Sequence, residues 1–437
     1  MNKISGWGRC PKYDVNEVFP DSEKDLLDIL SKNPNSFIAR GNGRSYGDSS
    51  INKELTISMT KMNKFLSWDS TNGILVAEAG ALISDIIEFL MPQGWFPTVS
   101  PGTKYITLGG AIASDIHGKN HHLEGSFGRH VNWIEIVNDQ NKIIRCSPNE
   151  NVNIFNWTIG GMGLTGVITK CSIKLRKIET GWISQKVIAN DNLENTLNSF
   201  YENNHYLYSV AWIDCLSDKK NFGRSILILG DHVKKNKLLK TQEIFPKIKK
   251  QLISFPFEMP SFFLNNFFVS IFNNIYYHLN KRKQTSLISW DNYFYPLDSI
   301  KNWNKMYGRN GFFQFQCVIP LESSKEAYTK MLRLIQKESS GSFLAVLKKF
   351  GSGNEYFSFP EDGFTLALDF KNSDRNIKTA SKLSKIVSEY NGSIYLAKDS
   401  LLQSIEFKKI YGKNKISEFQ QFKNIHCSSM QSQRLGL

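Results

Sequence analysis

Two glycine-rich segments about sixty residues apart constrain this chain more than any other feature. The first reads Ala39-Arg40-Gly41-Asn42-Gly43-Arg44-Ser45-Tyr46-Gly47-Asp48-Ser49. The second runs from Pro101-Gly102-Thr103 through Thr107-Leu108-Gly109-Gly110-Ala111 to Ser114-Asp115-Ile116-His117-Gly118-Lys119-Asn120. Glycine lacks a Cβ, so backbone N–H groups in such loops can close on an anion. A pair of them predicts a long, doubly charged ligand such as a dinucleotide pyrophosphate. Gly47 comes one residue too late after Gly41 and Gly43 for Gly-x-Gly-x-x-Gly, and neither loop ends in Gly-Lys-Ser/Thr. The ligand is therefore expected to sit in some arrangement other than the Rossmann one.

A chain of 437 residues can bury a full core and predicts two domains. Its six cysteines are scattered without a Cys-x-x-Cys pair, which reads as reduced thiols rather than a disulfide framework or zinc site. The first residues, Met1-Asn2-Lys3-Ile4-Ser5-Gly6-Trp7-Gly8-Arg9, contain no apolar secretory core, and no apolar run is long enough to span a bilayer. The expected compartment is the cytoplasm. The net charge of +14 calls for an anionic partner.

Part of that charge lies at Lys234, Lys235, Lys237, Lys240, Lys247, Lys249 and Lys250, with Glu243 the only acid among them. Residues 262–279 follow, FFLNNFFVSIFNNIYYHL, and then Lys281-Arg282-Lys283. Asn265, Asn266, Ser270, Asn273, Asn274 and His278 recur at helical spacing, while Phe263, Leu264, Phe267, Phe268, Ile271, Phe272, Ile275, Tyr276 and Leu279 fill the other side. One reading is a core helix with its aromatic stripe against a sheet. The other is an interfacial helix on an anionic membrane surface, where each Lys or Arg adds about 1 kcal/mol. Basic flanks on both sides favour the membrane. No nucleic-acid-binding motif accompanies the charge, so nucleic acid is not expected.

Short apolar runs predict strands at 36–39, 55–59 and 74–79, and helices at 22–30 and 83–91, the latter ended by Pro92 and Gly94. Residues 133–144 read as a hairpin. A third glycine cluster, residues 160–166, leads into Val167-Ile168-Thr169. It reads as a tight turn or as a further contact to the same ligand. Beyond Gly181 the chain becomes aromatic and poorer in glycine, consistent with a second domain.

These motifs resemble the vanillyl-alcohol-oxidase-type FAD enzymes, and within them the decaprenylphosphoryl-β-D-ribose 2-oxidase family. The similarity extends to Gly6-Trp7-Gly8-Arg9, His117-Gly118-Lys119-Asn120-His121-His122 with Gly125-Ser126-Phe127-Gly128, Gly163-Leu164-Thr165-Gly166 and Ala211-Trp212-Ile213-Asp214. It continues at Pro296-Leu297-Asp298, Gln314-Phe315-Gln316-Cys317-Val318-Ile319-Pro320, Lys348-Lys349-Phe350-Gly351 and Tyr395-Leu396-Ala397-Lys398-Asp399-Ser400. The resemblance implies an α+β, two-domain FAD-binding fold of the vanillyl-alcohol-oxidase (PCMH) type with an inserted antiparallel-sheet substrate domain. Residues 1–181 would form the first part of the FAD-binding domain, 182–392 the substrate domain, and 393–437 a C-terminal return. The segment at about 234–283 would face the membrane.

By the same resemblance, FAD oxidises the 2-hydroxyl of a polyprenylphosphoryl pentose to the 2-keto sugar. A short-chain reductase partner would complete an epimerisation in cell-envelope polysaccharide synthesis. The protein would work on the inner membrane, peripherally bound, with the cytoplasmic face expected and the periplasmic face left open. A soluble alditol or aldono-1,4-lactone oxidase using oxygen is the alternative, as is a silent flavin-binding scaffold. The aromatic helix argues against the soluble oxidase, and the presence of Lys398, Lys348 and Gln316 against the scaffold.

Alcohol oxidation needs a hydride acceptor and a group to receive the hydroxyl proton. The resemblance assigns catalysis to Lys398, Lys348, Gln316, His117 and Tyr46, with Lys398 nearest the hydroxyl. A lysine is a base only where burial or neighbouring cations lower its pKa; otherwise it stabilises the alkoxide. FAD contacts are expected from Ala39 through Ser49, and from Gly102, Thr107, Leu108, Gly109, Gly110, Ser114, Asp115, Ile116, His117, Ile168 and Tyr395. Substrate contacts are expected from Lys119, Trp212, Gln314, Gln316, Lys348 and Phe350. Lys348 and Lys349 compete for the inward position. The first loop holds no histidine, which implies noncovalent FAD. His121, His122 and Lys119 lack acidic or thiol partners, so no metal is expected. Ala367 stands where mycobacterial relatives carry an inhibitor-reactive cysteine, and Val210 and Thr365 stand where relatives are more polar.

Overall fold

The computed structural model describes residues 2–32, 34–248, 253–255, 258, 265–281, 285–342, 344–354 and 356–437. The predicted N-terminal elements form with ends shifted by a residue or two. Ser22 caps the helix Glu23–Leu30 by accepting from the Asp25 N–H at 3.2 Å. The next helix, Ile83–Leu90, runs into a 3₁₀ turn, Met91–Gln93, because Pro92 cannot continue the hydrogen-bond ladder. Gly94 then turns the chain at φ +82°.

Strands Glu17–Val18, Thr56–Ser58 and Ile38–Arg40 make a small parallel sheet. Ile143–Cys146, Val131–Val137, Val167–Lys177, Ile74–Glu78 and Phe65–Asp69 form an antiparallel sheet, in that order, and Trp95–Pro97 pairs with the far end of Val167–Lys177. Residues 133–144 are thus the hairpin expected.

Strands from Trp182 onward build an eight-stranded antiparallel sheet. Its order is Thr285–Ser289, Trp182–Asn190, Ser225–His232, Tyr208–Ile213, Ala345–Lys349, Gly363–Lys371, Phe312–Pro320 and Ser393–Ile394. Alternation along a strand sends successive side chains to opposite faces. Phe313, Phe315 and Cys317 enter a core shared with helices Leu193–Glu202, Ser324–Lys337 and Asp374–Glu389. Gln314 and Gln316 face a cavity on the other side.

The last strand, Ser393–Ile394, pairs with Cys317 and Val318, so the large sheet runs two residues past the expected boundary at 392. The chain then turns back to the glycine loops. The Tyr46 N–H donates to the Ala397 carbonyl at 3.0 Å, and Phe37 bridges in parallel to Cys427.

The basic-aromatic segment yields a helix, Asn266–Lys281; its predicted first turn, with Phe262, Phe263 and Leu264, lies outside the described residues, as do Lys249, Lys250, Arg282 and Lys283. Its buried side carries Val269, Asn273 and Tyr277. The Asn273 amide is buried and donates to Asp214 at 2.7 Å, and Asn266 accepts from the Gly341 N–H at 2.9 Å. Phe267, Ile275 and Leu279 are 68%, 54% and 60% exposed, with Ile271 and Phe268 beside them. The core-helix reading therefore fails for most of the aromatic stripe. Among the described residues of the stripe, only Phe272 and Tyr276 turn toward the cavity. Lys234, Lys235, Lys237, Lys240 and Lys247 are exposed.

Candidate active site

A cavity of about 990 Å³ lies between the glycine loops and the open face of the eight-stranded sheet. The loop wall carries Ala39 through Tyr46, Ser49, Gly102, Thr107, Gly109, Gly110, Ser114, Ile116, His117, Gly163, Gly166 and Ile168. The sheet wall carries Trp212, Gln314, Gln316 and Lys348, and Lys119, Tyr395 and Lys398 close the end between them.

The loops suit a phosphorylated dinucleotide. A Cβ on Gly102 would meet nothing within 4 Å, and one on Gly110 only the Thr107 hydroxyl at 3.0 Å, so the wall there is bare backbone facing open space. Gly41 serves the scaffold instead, since a Cβ would strike the Thr107 hydroxyl where the two loops touch. Arg40 and Arg44 bring guanidinium groups to the same wall, Arg40 donating to the Ser5 carbonyl at 2.8 Å and Arg44 stacking 4.2 Å from the Trp7 ring centre.

His117 is the hub of the opposite end. Lys348 Nζ lies 3.1 Å from its Nδ1, and the Gln316 amide lies 3.0 Å from Nε2 and 3.1 Å from Thr365 Oγ1. Burial, then Lys348, His121 and Lys398, hold the His117 pKa well below the usual histidine range, so the ring is neutral at pH 7. A neutral imidazole offers one donor and one acceptor. The Gln316 amide nitrogen donates to Nε2, so Nδ1 carries the ring proton and points to Lys348 Nζ.

Among the described residues four lysines line the cavity; Lys301 is exposed, and Lys119, Lys348 and Lys398 are partly buried. Burial pushes Lys119 and Lys348 down to about 7, with Lys398 and Lys119 adding to the shift at Lys348. Lys119 donates to the Tyr293 carbonyl and sits 4.2 Å from that ring's centre. Lys398 Nζ lies 4.0 Å from the centre of the Tyr46 ring. Burial lowers its pKa, while the carboxylate of Asp369 raises it. Lys349 points away and donates to Asn204 at 3.1 Å, which resolves the choice between the neighbouring lysines.

Five of the sequence-predicted site residues do not line the cavity: Gly47, Asp48, Leu108, Asp115 and Phe350. They build it from behind. A Cβ on Gly47 would strike the Asp399 carbonyl, and Asp48 pairs with Arg434 at 2.8 Å. Leu108 is fully buried in the core behind the loop. Asp115, at φ +38°, accepts from Ser126 at 2.7 Å, the Gly128 N–H at 2.8 Å and Ser358. Phe350 packs edge-on to His117 at 4.7 Å. Motif positions include those that shape a loop as well as those that touch its ligand.

Sequence reasoning passed over Asp369. It pairs with Gln314 across adjacent strands, accepts from the Gln314 amide at 2.5 Å and from Tyr307 at 3.2 Å, and is almost wholly buried. Burial raises its pKa. Only strand register reveals it, because Gln314 and Asp369 are 55 residues apart.

The FAD binding domain family matches residues 17–147. Over 428 residues the chain is 31% identical to decaprenylphosphoryl-beta-D-ribose oxidase of Mycolicibacterium smegmatis, covering 94% of this chain and 91% of that protein. Shorter similarities join it to a D-lactate dehydrogenase of Anaerostipes hadrus, 28% identical over 35% of this chain and 33% of that protein. Bovine L-gulonolactone oxidase is 25% identical over 45% of this chain and 46% of its own. These two matches reach less than half of the chain, whereas the mycobacterial one runs through both walls of the cavity. The protein is thus an FAD-dependent oxidoreductase of the vanillyl-alcohol-oxidase type, and it belongs to the decaprenylphosphoryl-β-D-ribose oxidase family.

Proposed function

We propose that the protein oxidises the 2-hydroxyl of a polyprenylphosphoryl pentose to the 2-keto sugar, with a short-chain reductase completing an epimerisation. The observation that carries this reading is one cavity with two characters. Lys119 and Lys348, suited to a sugar phosphate, line one part of it, and a helix with an exposed apolar stripe lines another. A free polyol or lactone needs neither.

Bound FAD supplies the acceptor for the hydride that leaves C2, and the proton from the hydroxyl goes to Lys398 Nζ, so that the C=O bond forms. Burial favours the neutral amine that this step needs, while Asp369 and the Tyr46 ring hold the pKa close enough to neutrality to keep the base strong. Gln314 and Gln316 serve the sugar hydroxyls, and Lys348 and Lys119 the phosphate. The flavin is held noncovalently: both nitrogens of His117 are engaged, and no cysteine lines the cavity among the described residues. Acid precipitation is expected to release all of it.

The exposed apolar stripe with its basic neighbours is read as a foot on anionic lipid. The protein is expected to sediment with vesicles of anionic phospholipid and to stay in solution with zwitterionic ones.

Anaerobic mixing with farnesylphosphoryl ribose is expected to bleach the oxidised-flavin absorbance, while xylitol and an aldonolactone leave it unchanged. Bleaching by the free polyol or lactone alone would replace this reading with that of a soluble oxidase.

Asp369 gives a pH test. Removing its charge in Asp369→Asn lowers the Lys398 pKa, so the acidic limb of kcat/KM is expected to move down by about one pH unit. A merely structural Asp369 would lower the rate without moving the limb. Movement of the alkaline limb instead would make Lys398 a cationic stabiliser.

A further inference from the structure

The eight-stranded sheet changes character across its open face. In one cross-strand row, Gln316 pairs with Ala367, Ala367 with Val346, Val346 with Trp212, and Trp212 with Ile226. The next row carries Val210, Ile228 and Val187. Polar groups thus stand beside His117, and the strands beyond bring mainly apolar side chains to the wall, with Gln185 beside Val187. A sheet face of this kind ordinarily packs against another apolar layer. Here Val187 and Trp212 pack in part against Tyr276 and Tyr277 of the helix Asn266–Lys281, and Val187, Val210, Trp212, Ile228 and Val346 also line the cavity.

The helix Asn266–Lys281 roofs this arm. Phe272, Tyr276 and Asn280 recur every four residues and face the cavity, with the Tyr276 ring 4.7 Å from that of Trp212. Successive residues turn by roughly 100° around a helix. That spacing places the cavity stripe between the buried stripe of Val269, Asn273 and Tyr277 and the exposed stripe of Phe268, Ile271, Ile275 and Leu279. A hydrocarbon leaving the arm past Phe272 therefore meets the exposed apolar stripe next.

We infer that this arm is a binding channel for the isoprenoid chain of the substrate, leading from the sugar-phosphate end to the outer face of the helix. The inference rests on the lipid-linked reading of the same site and adds where the lipid lies. The lysines would hold the phosphate, and the sheet face from Val346 to Val187 would take the first isoprene units under Phe272 and Tyr276. The remaining chain would stay against Ile275 and Leu279 or in the lipid layer they touch.

Binding tests this without turnover. The FAD-loaded protein is titrated calorimetrically with farnesyl phosphate and with isopentenyl phosphate, which share a headgroup and differ in chain length. Each buried methylene adds about 0.8 kcal/mol, so farnesyl phosphate is expected to bind at least tenfold more tightly. Val210→Trp, which fills the arm from the sheet, and Phe272→Asp, which charges its roof, are expected to bring the ratio to within twofold. Retained FAD at one per chain certifies the fold of each variant, and either one suffices.

A ratio that stays above tenfold in a folded variant would overturn the channel, as would equal affinities in the wild type. Failure of the oxidation reading is distinguishable. Chain-length discrimination that both variants abolish, without flavin bleaching by farnesylphosphoryl ribose, would keep the channel and discard the sugar.

Discussion

Lys398→Met is expected to slow anaerobic flavin reduction by about 10³-fold at saturating farnesylphosphoryl ribose, the range in which removal of a positioned base falls. Methionine keeps the unbranched stem and its packing beside Tyr46 but has no nitrogen to take the proton. FAD content should remain at wild-type level, because methionine fills the same space beside Tyr46 and the glycine loops supply the backbone that holds the cofactor. Lys398→Arg separates the two chemistries of a cation and a base. A guanidinium stays charged at any working pH, so it can stabilise an alkoxide but cannot accept the proton. Loss of activity in both variants supports the base, and activity retained by arginine would convert Lys398 to a stabilising charge.

The second large effect is on stability. Arg434, in the C-terminal helix Met430–Leu435, pairs with Asp48 at 2.8 Å and with Asp399 at 3.1 Å, and these carboxylates are 2% and 5% exposed. One belongs to the first glycine loop and the other follows Lys398 in sequence. A single guanidinium therefore ties the C-terminal return to both ends of the site. Arg434→Met leaves two buried carboxylates without their cation, a loss of about 3 kcal/mol or more. At roughly 2 °C per kcal/mol, Tm of the FAD-loaded protein should fall by about 6 °C.

The pH dependence of that loss has a definite sign. Burial already raises the Asp48 pKa, and without Arg434 it rises further above its unfolded value. Protonation then favours the folded state. The deficit is full above the raised pKa and shrinks as pH falls through it, so wild type and variant should converge on acidification. A constant difference in Tm across pH 5 to about 8 would show that Arg434 acts by packing alone.

A dinucleotide-like ligand was legible in the glycine loops themselves, and the family resemblance implied FAD and the fold class. Of these glycines, Gly102 and Gly110 leave bare backbone facing open space, while Gly41 and Gly47 let neighbouring segments approach closely. Helix ends at Ser22 and Pro92 are set by hydrogen bonds within one turn, and they formed where spacing predicted. Lys398, Lys348, Gln316 and His117 were identifiable by motif, and all four line one cavity.

The remaining assignments depended on which faces met. Nothing near Lys348 and Lys349 says which lysine points inward; the register of Ala345–Lys349 against Gly363–Lys371 decides it. Phe350 and Asp48 shape the site from behind and Asp369 acts on it, yet only strand pairing and the returning C-terminal helix distinguish those roles. The helix Asn266–Lys281 shows the same limit most plainly. Its sequence specifies an amphipathic cylinder, but which side turns to the protein was set by partners elsewhere in the chain, Asp214 for Asn273 and Gly341 for Asn266. Spacing along a chain determines what one segment can present. The partner that receives it is chosen by long-range packing, where burying a polar group requires a hydrogen bond that only the tertiary structure can supply.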